Sequence, residues 1–495
     1  MRMPEPNPET LAQRAALLDG LACLLPASGI IADPVRLKAY ASDGLTIFGG
    51  TPMAVVLPDK REQIPEILML CSRLGVKVVP RGAGTGLSGG ALPLTDGIVL
   101  GLSKLSRILD VDYANRTVTV EPGVTNLAIT KAVEAAGFYF APDPSSQVAC
   151  TIGGNVAENS GGVHCLKYGL TTNNILGLEI ILMDGEVVRL GGKHLDADAY
   201  DLLGIVTGSE GLLGIVTEIT VRILPRPECV RAALIAFDSI EAAGACVSGI
   251  IASGLLPAAL EIMDRAAVKA VEAYCAPGYP KDADAVLLVE LDGAAAEIDE
   301  SFELVAAIAR AARASEIRFS ADERERLHLW AGRKAAFPAV GRLAPDYICM
   351  DGTIPRSKLP EVLRAMRKLA EKAGLAVVNV FHAGDGNLHP LILFDSEKPG
   401  DTDRAQTLGA DILKLCVDAG GVLSGEHGIG VEKRDLMGLM FSEDDLKQQQ
   451  RLKCAFDPAS MLNPGKVFPT LHACVELGRM HVHRGSLPFP NLPRL

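Results

Sequence analysis

The sequence predicts an α+β protein built as two domains and a C-terminal helical segment, and three observations carry that prediction. The chain has 495 residues, too many for a single ordinary domain of roughly 100–200 residues. Its texture changes at Pro225-Arg226-Pro227, a triplet that breaks both helix and ladder. After Glu432 a charged, helical stretch leads into a proline-rich tail. The chain is thereby divided into residues 1–227, 228–430 and 431–495.

Each region has its own signature. Between residues 54 and 227 short β-branched runs (54–58, 76–80, 97–102, 108–113, 116–123, 177–185 and 212–225) are bounded by Gly, Pro and Asp, the mark of strands joined by turns. Between 228 and 430 strand patterns at 231–237, 286–291, 347–354 and 376–381 alternate with helical patterns at 240–253, 298–314 and 359–373. That alternation predicts helices packed on a mixed, largely antiparallel sheet.

Composition excludes several classes. A net charge of -12 with no Lys/Arg run disfavours nucleic-acid binding, which needs a basic face. The first twenty residues lack the apolar core of a signal peptide, and no stretch approaches the ~20 apolar residues of a membrane span. The 11 cysteines are scattered without a CxxC spacing, so neither a disulfide framework nor an iron–sulfur or structural zinc site is written here. A reducing cytoplasm is the expected compartment.

Three glycine clusters carry the first chemical signal. The strand pattern at 76–79 runs into Pro80-Arg81-Gly82-Ala83-Gly84-Thr85-Gly86-Leu87-Ser88-Gly89-Gly90, where successive backbone N–H groups can converge on an anion. A nicotinamide-type fingerprint would need a helix directly afterwards. Ala91-Leu92-Pro93-Leu94-Thr95-Asp96-Gly97 follows instead. Asp143-Pro144-Ser145-Ser146 leads to Thr151-Ile152-Gly153-Gly154-Asn155-Val156-Ala157-Glu158-Asn159-Ser160-Gly161-Gly162, and Gly208-Ser209-Glu210-Gly211-Leu212-Leu213-Gly214 comes third. Any one could be turn chemistry; together they suit one long groove for an extended dinucleotide.

These three clusters resemble the FAD-binding domain of the vanillyl-alcohol oxidase, or PCMH, superfamily. The resemblance implies that Arg81, Gly82, Ala83, Gly84, Thr85, Gly86 and Leu87 cradle the FAD pyrophosphate. It places Pro142, Asp143, Ser145, Thr151, Gly154, Asn155, Asn159, Gly161 and Gly162 along the cofactor, with Glu210 and Ile215. Some members tether the flavin through a histidine in the nest. None stands there in this chain, so non-covalent FAD is expected.

The second signal is a set of histidines. Strand patterns at 376–381 and 390–394 flank His382-Ala383-Gly384-Asp385-Gly386-Asn387-Leu388-His389. Asp-Gly is a favoured hairpin centre. A two-residue turn at Asp385-Gly386 would pair 382 with 389, bringing the two imidazoles within ~5 Å at Cβ. Downstream, Ser424-Gly425-Glu426-His427-Gly428 puts a Glu-His pair between glycines. Glu426 completes a two-histidine, one-carboxylate set for a divalent metal with open positions. His427 is left as a base near neutrality. Hydride leaves a carbinol carbon easily only as the hydroxyl loses its proton; a cation acidifies that hydroxyl and a histidine takes the proton.

His382–Pro390 and Ser424–Arg434 resemble the metal-site motifs of FAD-linked 2-hydroxy-acid dehydrogenases, and nearly the whole chain resembles the glycolate-oxidase branch of that family. The resemblance implies that His382, His389 and Glu426 ligate the metal, that His427 is the base and that Asn463 lies near the flavin. Zinc suits the ligand set best, with manganese, iron and cobalt open. Arg333 is expected to hold the substrate carboxylate in the bidentate way a lysine cannot. The hydroxyglutarate-oxidising members carry a lysine where this chain has Tyr347-Ile348-Cys349-Met350-Asp351, which points to a monocarboxylic acid, glycolate or D-lactate. The branch also implies a second flavin-binding subunit and an iron–sulfur subunit as partners, and peripheral attachment to the inner membrane through them. Residues 487–493 of the proline-rich tail could be a docking segment. Two rivals stand beside this reading: a non-catalytic FAD-binding subunit, and an oxidase of sugar lactones or aromatic alcohols, which needs no metal.

Overall fold

The computed structural model of the chain describes residues 3–194 and 200–469; the tail 487–493 lies outside them. The first region forms two main sheets. In one, Ala54–Val56 and Lys77–Arg81 flank Gly97–Gly101 in parallel, and Ile30–Ile31 pairs antiparallel at the edge. Parallel strands need a crossover, and the helix Gln63–Leu74 carries the chain from Ala54–Val56 across to Lys77–Arg81, on the far side of Gly97–Gly101. Its buried Ile64, Ile67, Leu68 and Cys71 recur at helical spacing and form one apolar stripe. The other sheet is antiparallel, in the order Ile108–Asp112, Thr117–Val120, Ile215–Arg222, Ile175–Ile181, Val187–Gly191. Ile181 and Ile215 of this sheet reach into the core of the first, so the two pack as one unit.

The second region is a nine-stranded sheet whose pairings are all antiparallel among the described residues. Along Cys229–Phe237, Ala233, Ile235 and Phe237 enter one core while Ala232, Leu234 and Ala236 enter another. Successive strand residues point to opposite faces, and both faces are covered by helices. That is why the run is continuously apolar rather than alternating.

Some expected elements shift. The strand pattern at 347–354 divides into Asp346–Cys349 and Gly352–Thr353, with Asp351 buried in the break. The strand Ala259–Asp264 and helix Arg265–Cys275 are absent from the sequence reading, because Glu261 interrupts a short apolar run and imitates helical spacing. Beyond the helix Glu443–Phe456 the chain returns to the first region: Val78 N–H donates to Met461 O (2.9 Å) and Asn463 N–H to Val78 O (2.8 Å). No helix among the described residues is long and apolar enough to cross a membrane.

Candidate active site

The strand Lys77–Arg81 delivers the chain to the glycine nest. Arg81 turns back from it, its Nη1 donating to Ser42 O at 2.8 Å and its guanidinium lying over the Tyr40 ring. A Cβ on Gly84, where φ is +72°, would stand 2.1 Å from Arg81 Nη2. That backbone conformation favours glycine, and a side chain there would also displace the Arg81 guanidinium. Thr151 caps the helix Ile152–Glu158, accepting from Gly154 N–H, and brings the second cluster against the nest.

A cavity of about 400 Å³ runs from this nest to the histidines, a size suited to a small-molecule or cofactor site. Arg81 through Leu87, Ser145, Thr151, Gly154, Asn155 and Glu210 line it, and Phe337, His389, Glu426 and His427 close its far end. Other sequence-predicted residues stand behind the wall. Pro142 O accepts from Asn126, Asp143 binds His164, and Asn159 ends the helix in the left-handed region. Gly161 backs Glu426 and Gly162 backs Asp143, while Ile215 lies in the core. Asn463 is a buried strut whose Nδ2 donates to Gly90 O and Glu210 O.

His382, His389 and Glu426 converge. Glu426 Oε1 is 3.3 Å from His382 Nε2 and 3.2 Å from His389 Nε2, and the imidazole centroids are 5.0 Å apart. The hairpin reaches this by another register than expected. His382 is opposite Asn387 across a four-residue turn, and Asn379 opposite Pro390, so His389 lies diagonal to His382. A slip of two residues keeps both side chains on one face, within reach of long side chains.

The donor set fits a divalent cation. Glu261 Oε1, 2.8 Å from His382 Nδ1, holds a proton on that nitrogen and turns the Nε2 lone pair toward Glu426, the usual carboxylate support for a metal-binding imidazole. His389 Nε2 is buried without an aligned hydrogen bond, despite its closeness to the carboxylate. Burial pushes Glu426 up, but the hydrogen bond and charge of His382, with His389 and His427, hold it at about 2. Burial lowers His382, yet Glu261 and Glu426 raise it well above the ordinary value; a proton sits where a cation would, and cation binding would release it.

His427 is half-buried beside them, stacked on His389 at 4.9 Å. Burial, reinforced by His389 and Lys433 and partly opposed by Asp351, lowers its pKa to about 4. At neutral pH it is therefore uncharged and able to accept a proton, and its Nδ1 has no partner. Asp351, which the sequence reading passed over, fixes the loop. It accepts from the backbone N–H of Gly425, Glu426 and His427, from Ser424 Oγ and from Lys433 Nζ. Its only signal was an acid inside an apolar strand pattern.

Arg333 is placed differently from expectation. It is buried, 3% exposed, and is not among the residues lining the cavity. Its Nε and Nη2 hold Glu261 Oε2 at 2.8 and 2.7 Å. The same glutamate grips His382, so Arg333 stands behind that histidine.

Comparison with known proteins gives the family of the two regions. A family model described as an FAD binding domain matches residues 52–191, and one described as the C-terminal domain of FAD linked oxidases matches residues 226–467. The chain is 52% identical to glycolate oxidase subunit GlcD of Escherichia coli (strain K12), covering 97% of this chain and 96% of the relative. It is 39% identical to GlcD of Bacillus subtilis over 87% of this chain and 92% of that one, and 35% identical to D-lactate dehydrogenase of Archaeoglobus fulgidus over 83% and 90%. In fold it is similar to p-cresol methylhydroxylase (TM-score 0.79, 16% identity, 93% of this chain and 98% of that one) and to 4-ethylphenol oxidase of Gulosibacter chungangensis (0.76, 17%, 94% and 99%). Both family models and relatives aligned over nearly the full chain thus give the family: the protein belongs to the FAD-linked oxidases of the glycolate oxidase GlcD type.

Proposed function

We propose that this oxidoreductase oxidises a small 2-hydroxy acid, glycolate or D-lactate, to the 2-oxo acid, using non-covalent FAD and a divalent cation, zinc by its ligand chemistry, on His382, His389 and Glu426. The observation that carries the proposal is the single cavity joining the glycine nest to Glu426, His389 and His427. When bound, the cation supplies Lewis acidity and FAD accepts hydride. His427, uncharged and facing the cavity, takes the hydroxyl proton. Asp351 and Lys433 hold its loop in place. Asp351, His389 and His427 also cluster closely enough to share an ion, but Lys433 already neutralises Asp351, which favours the first set.

The Nε–Nη2 edge of Arg333 is occupied by Glu261, and the edge that includes Nη1 is assigned to the substrate carboxylate. The absence of a lysine from 346–351 favours a monocarboxylic substrate. The GlcD relatives are named as subunits of glycolate oxidase. By extension this chain passes its electrons to partner subunits, a second flavoprotein and an iron–sulfur protein, and would meet a membrane only through them.

Stopped-flow flavin bleaching with a panel of D- and L-2-hydroxy acids tests the reading. Glycolate or D-lactate should bleach the flavin, and turnover of the isolated chain should be fast with an acceptor dye and slow with oxygen. Bleaching by aromatic alcohols alone would overturn the substrate class, and equal rates with oxygen and dye would overturn the need for partners.

A further inference from the structure

Glu158 ends the helix Ile152–Glu158 and lines the cavity, yet neither the metal set nor the base uses it. Its carboxyl is wedged between two loops. Oε1 lies 2.6 Å from where a Cβ on Gly90 would stand, and Oε2 lies 2.3 Å from a Cβ on Gly428. Glycine at both places leaves room for this one carboxyl group. Across Gly428 stands Glu210, whose Oε1 is 2.9 Å from the same Cβ position.

The two acids are not equivalent. Glu210 accepts the backbone N–H of Ile429 at 2.7 Å and of Gly430 at 2.8 Å, donors that stabilise a charged carboxylate. Glu158 Oε2 is closed off from solvent with no partner. A charge buried in that way is costly, so the group neutralises instead. Burial first, then the charges of Glu210 and Asp43, push Glu158 well above the ordinary carboxylate range against the pull of Lys433 and Lys466. The carboxyl therefore keeps its proton and is a donor as well as an acceptor. With Oε2 sealed in, Oε1 beside the nest is the atom that meets the cavity.

From this we infer that Glu158 is a further cofactor-binding residue, donating a hydrogen bond from the cavity wall to the bound FAD. The inference rests on the assignment of the cavity to FAD. Glu158→Gln keeps a donor on the same stem, whereas Glu158→Ala removes it.

The test follows FAD dissociation and the flavin absorption spectrum of the holoprotein for wild type and both variants, with infrared spectra of the flavin-stripped protein. Glu158→Gln should hold FAD within about threefold of wild type, and Glu158→Ala should weaken it by about tenfold, the worth of one such hydrogen bond, with a shifted flavin band. The wild-type infrared spectrum should contain a protonated-carboxyl stretch that Glu158→Gln lacks. Equal FAD affinity and spectra in all three proteins would overturn the inference. So would Glu158→Gln weakening FAD as much as Glu158→Ala, or a missing carboxyl stretch. Wild-type protein that purifies without FAD while retaining the stretch would instead overturn the assignment of the cavity.

Discussion

His389 stands at the crossing of the two roles, 3.2 Å from Glu426 through Nε2 and stacked on His427. Replacing either His382 or His389 tests the proposed metal apart from the flavin. His382→Ala and His389→Ala should each remove the bound cation and most turnover while FAD stays, read by metal analysis and flavin absorbance on the same sample. Retention of the metal with only a ~10-fold loss, the size of a supporting-residue effect, would place the ligands elsewhere. His427→Ala separates the proton from the metal. Its cation should remain, and single-turnover flavin reduction should fall by ~10²–10⁴-fold, the usual contribution of a general base. An unchanged single-turnover rate would hand the proton to another group. These three positions and Glu426 were legible in the sequence because a Glu-His pair between glycines and two histidines around an Asp-Gly turn have little structural purpose. Glu261 was not, and without it the sequence had no way to show that Arg333 is held behind His382.

At the scale of elements, the hairpin shows what a sequence can and cannot specify. The face on which His382 and His389 meet follows from residue parity and was readable, whereas the four-residue turn, which moves the register by two, was not. The strand around Asp351 failed for a different reason. An ideal strand would continue through 350–351, but the chain breaks there so that one carboxylate can gather three backbone N–H groups, Ser424 and Lys433. Asp351→Asn would take from the fully buried Lys433 its nearer carboxylate, at 3.1 Å, and leave Glu432 at 3.5 Å. Removing one partner of a buried pair costs about 3–5 kcal/mol. Denaturant unfolding should show a loss of that order, together with a weaker hold on the cation through the displaced 424–428 loop. Stability within 1 kcal/mol of wild type would mean that the loop is fixed by its neighbours.

Across the whole molecule, residues 164–168 of the first region fasten onto the strand Ala285–Gly293 of the second. His164 Nδ1 is 2.8 Å from Asp143 and its Nε2 3.0 Å from Glu290, which also takes Arg326 and Trp330 Nε1. Lys167 and Tyr168 hold Asp292. Burial lowers His164, but Asp143 and Glu290 together raise it well above its ordinary value. A histidine raised on folding lends stability that is full below its unfolded pKa of ~6.5 and is lost as pH climbs through the folded value. The melting-temperature advantage of wild type over His164→Gln should therefore be greatest near pH 6 and narrow toward pH 9; a constant gap would show that the imidazolium charge contributes nothing. The return of the chain to the glycine nest has a consequence for biosynthesis. Asn463 and Lys466 support Gly90 from positions up to 376 residues later in the chain. At 5–20 residues per second, translation needs about 20–75 s to span that interval. A nascent first region thus emerges from the ribosome with the back wall of its nest unfinished.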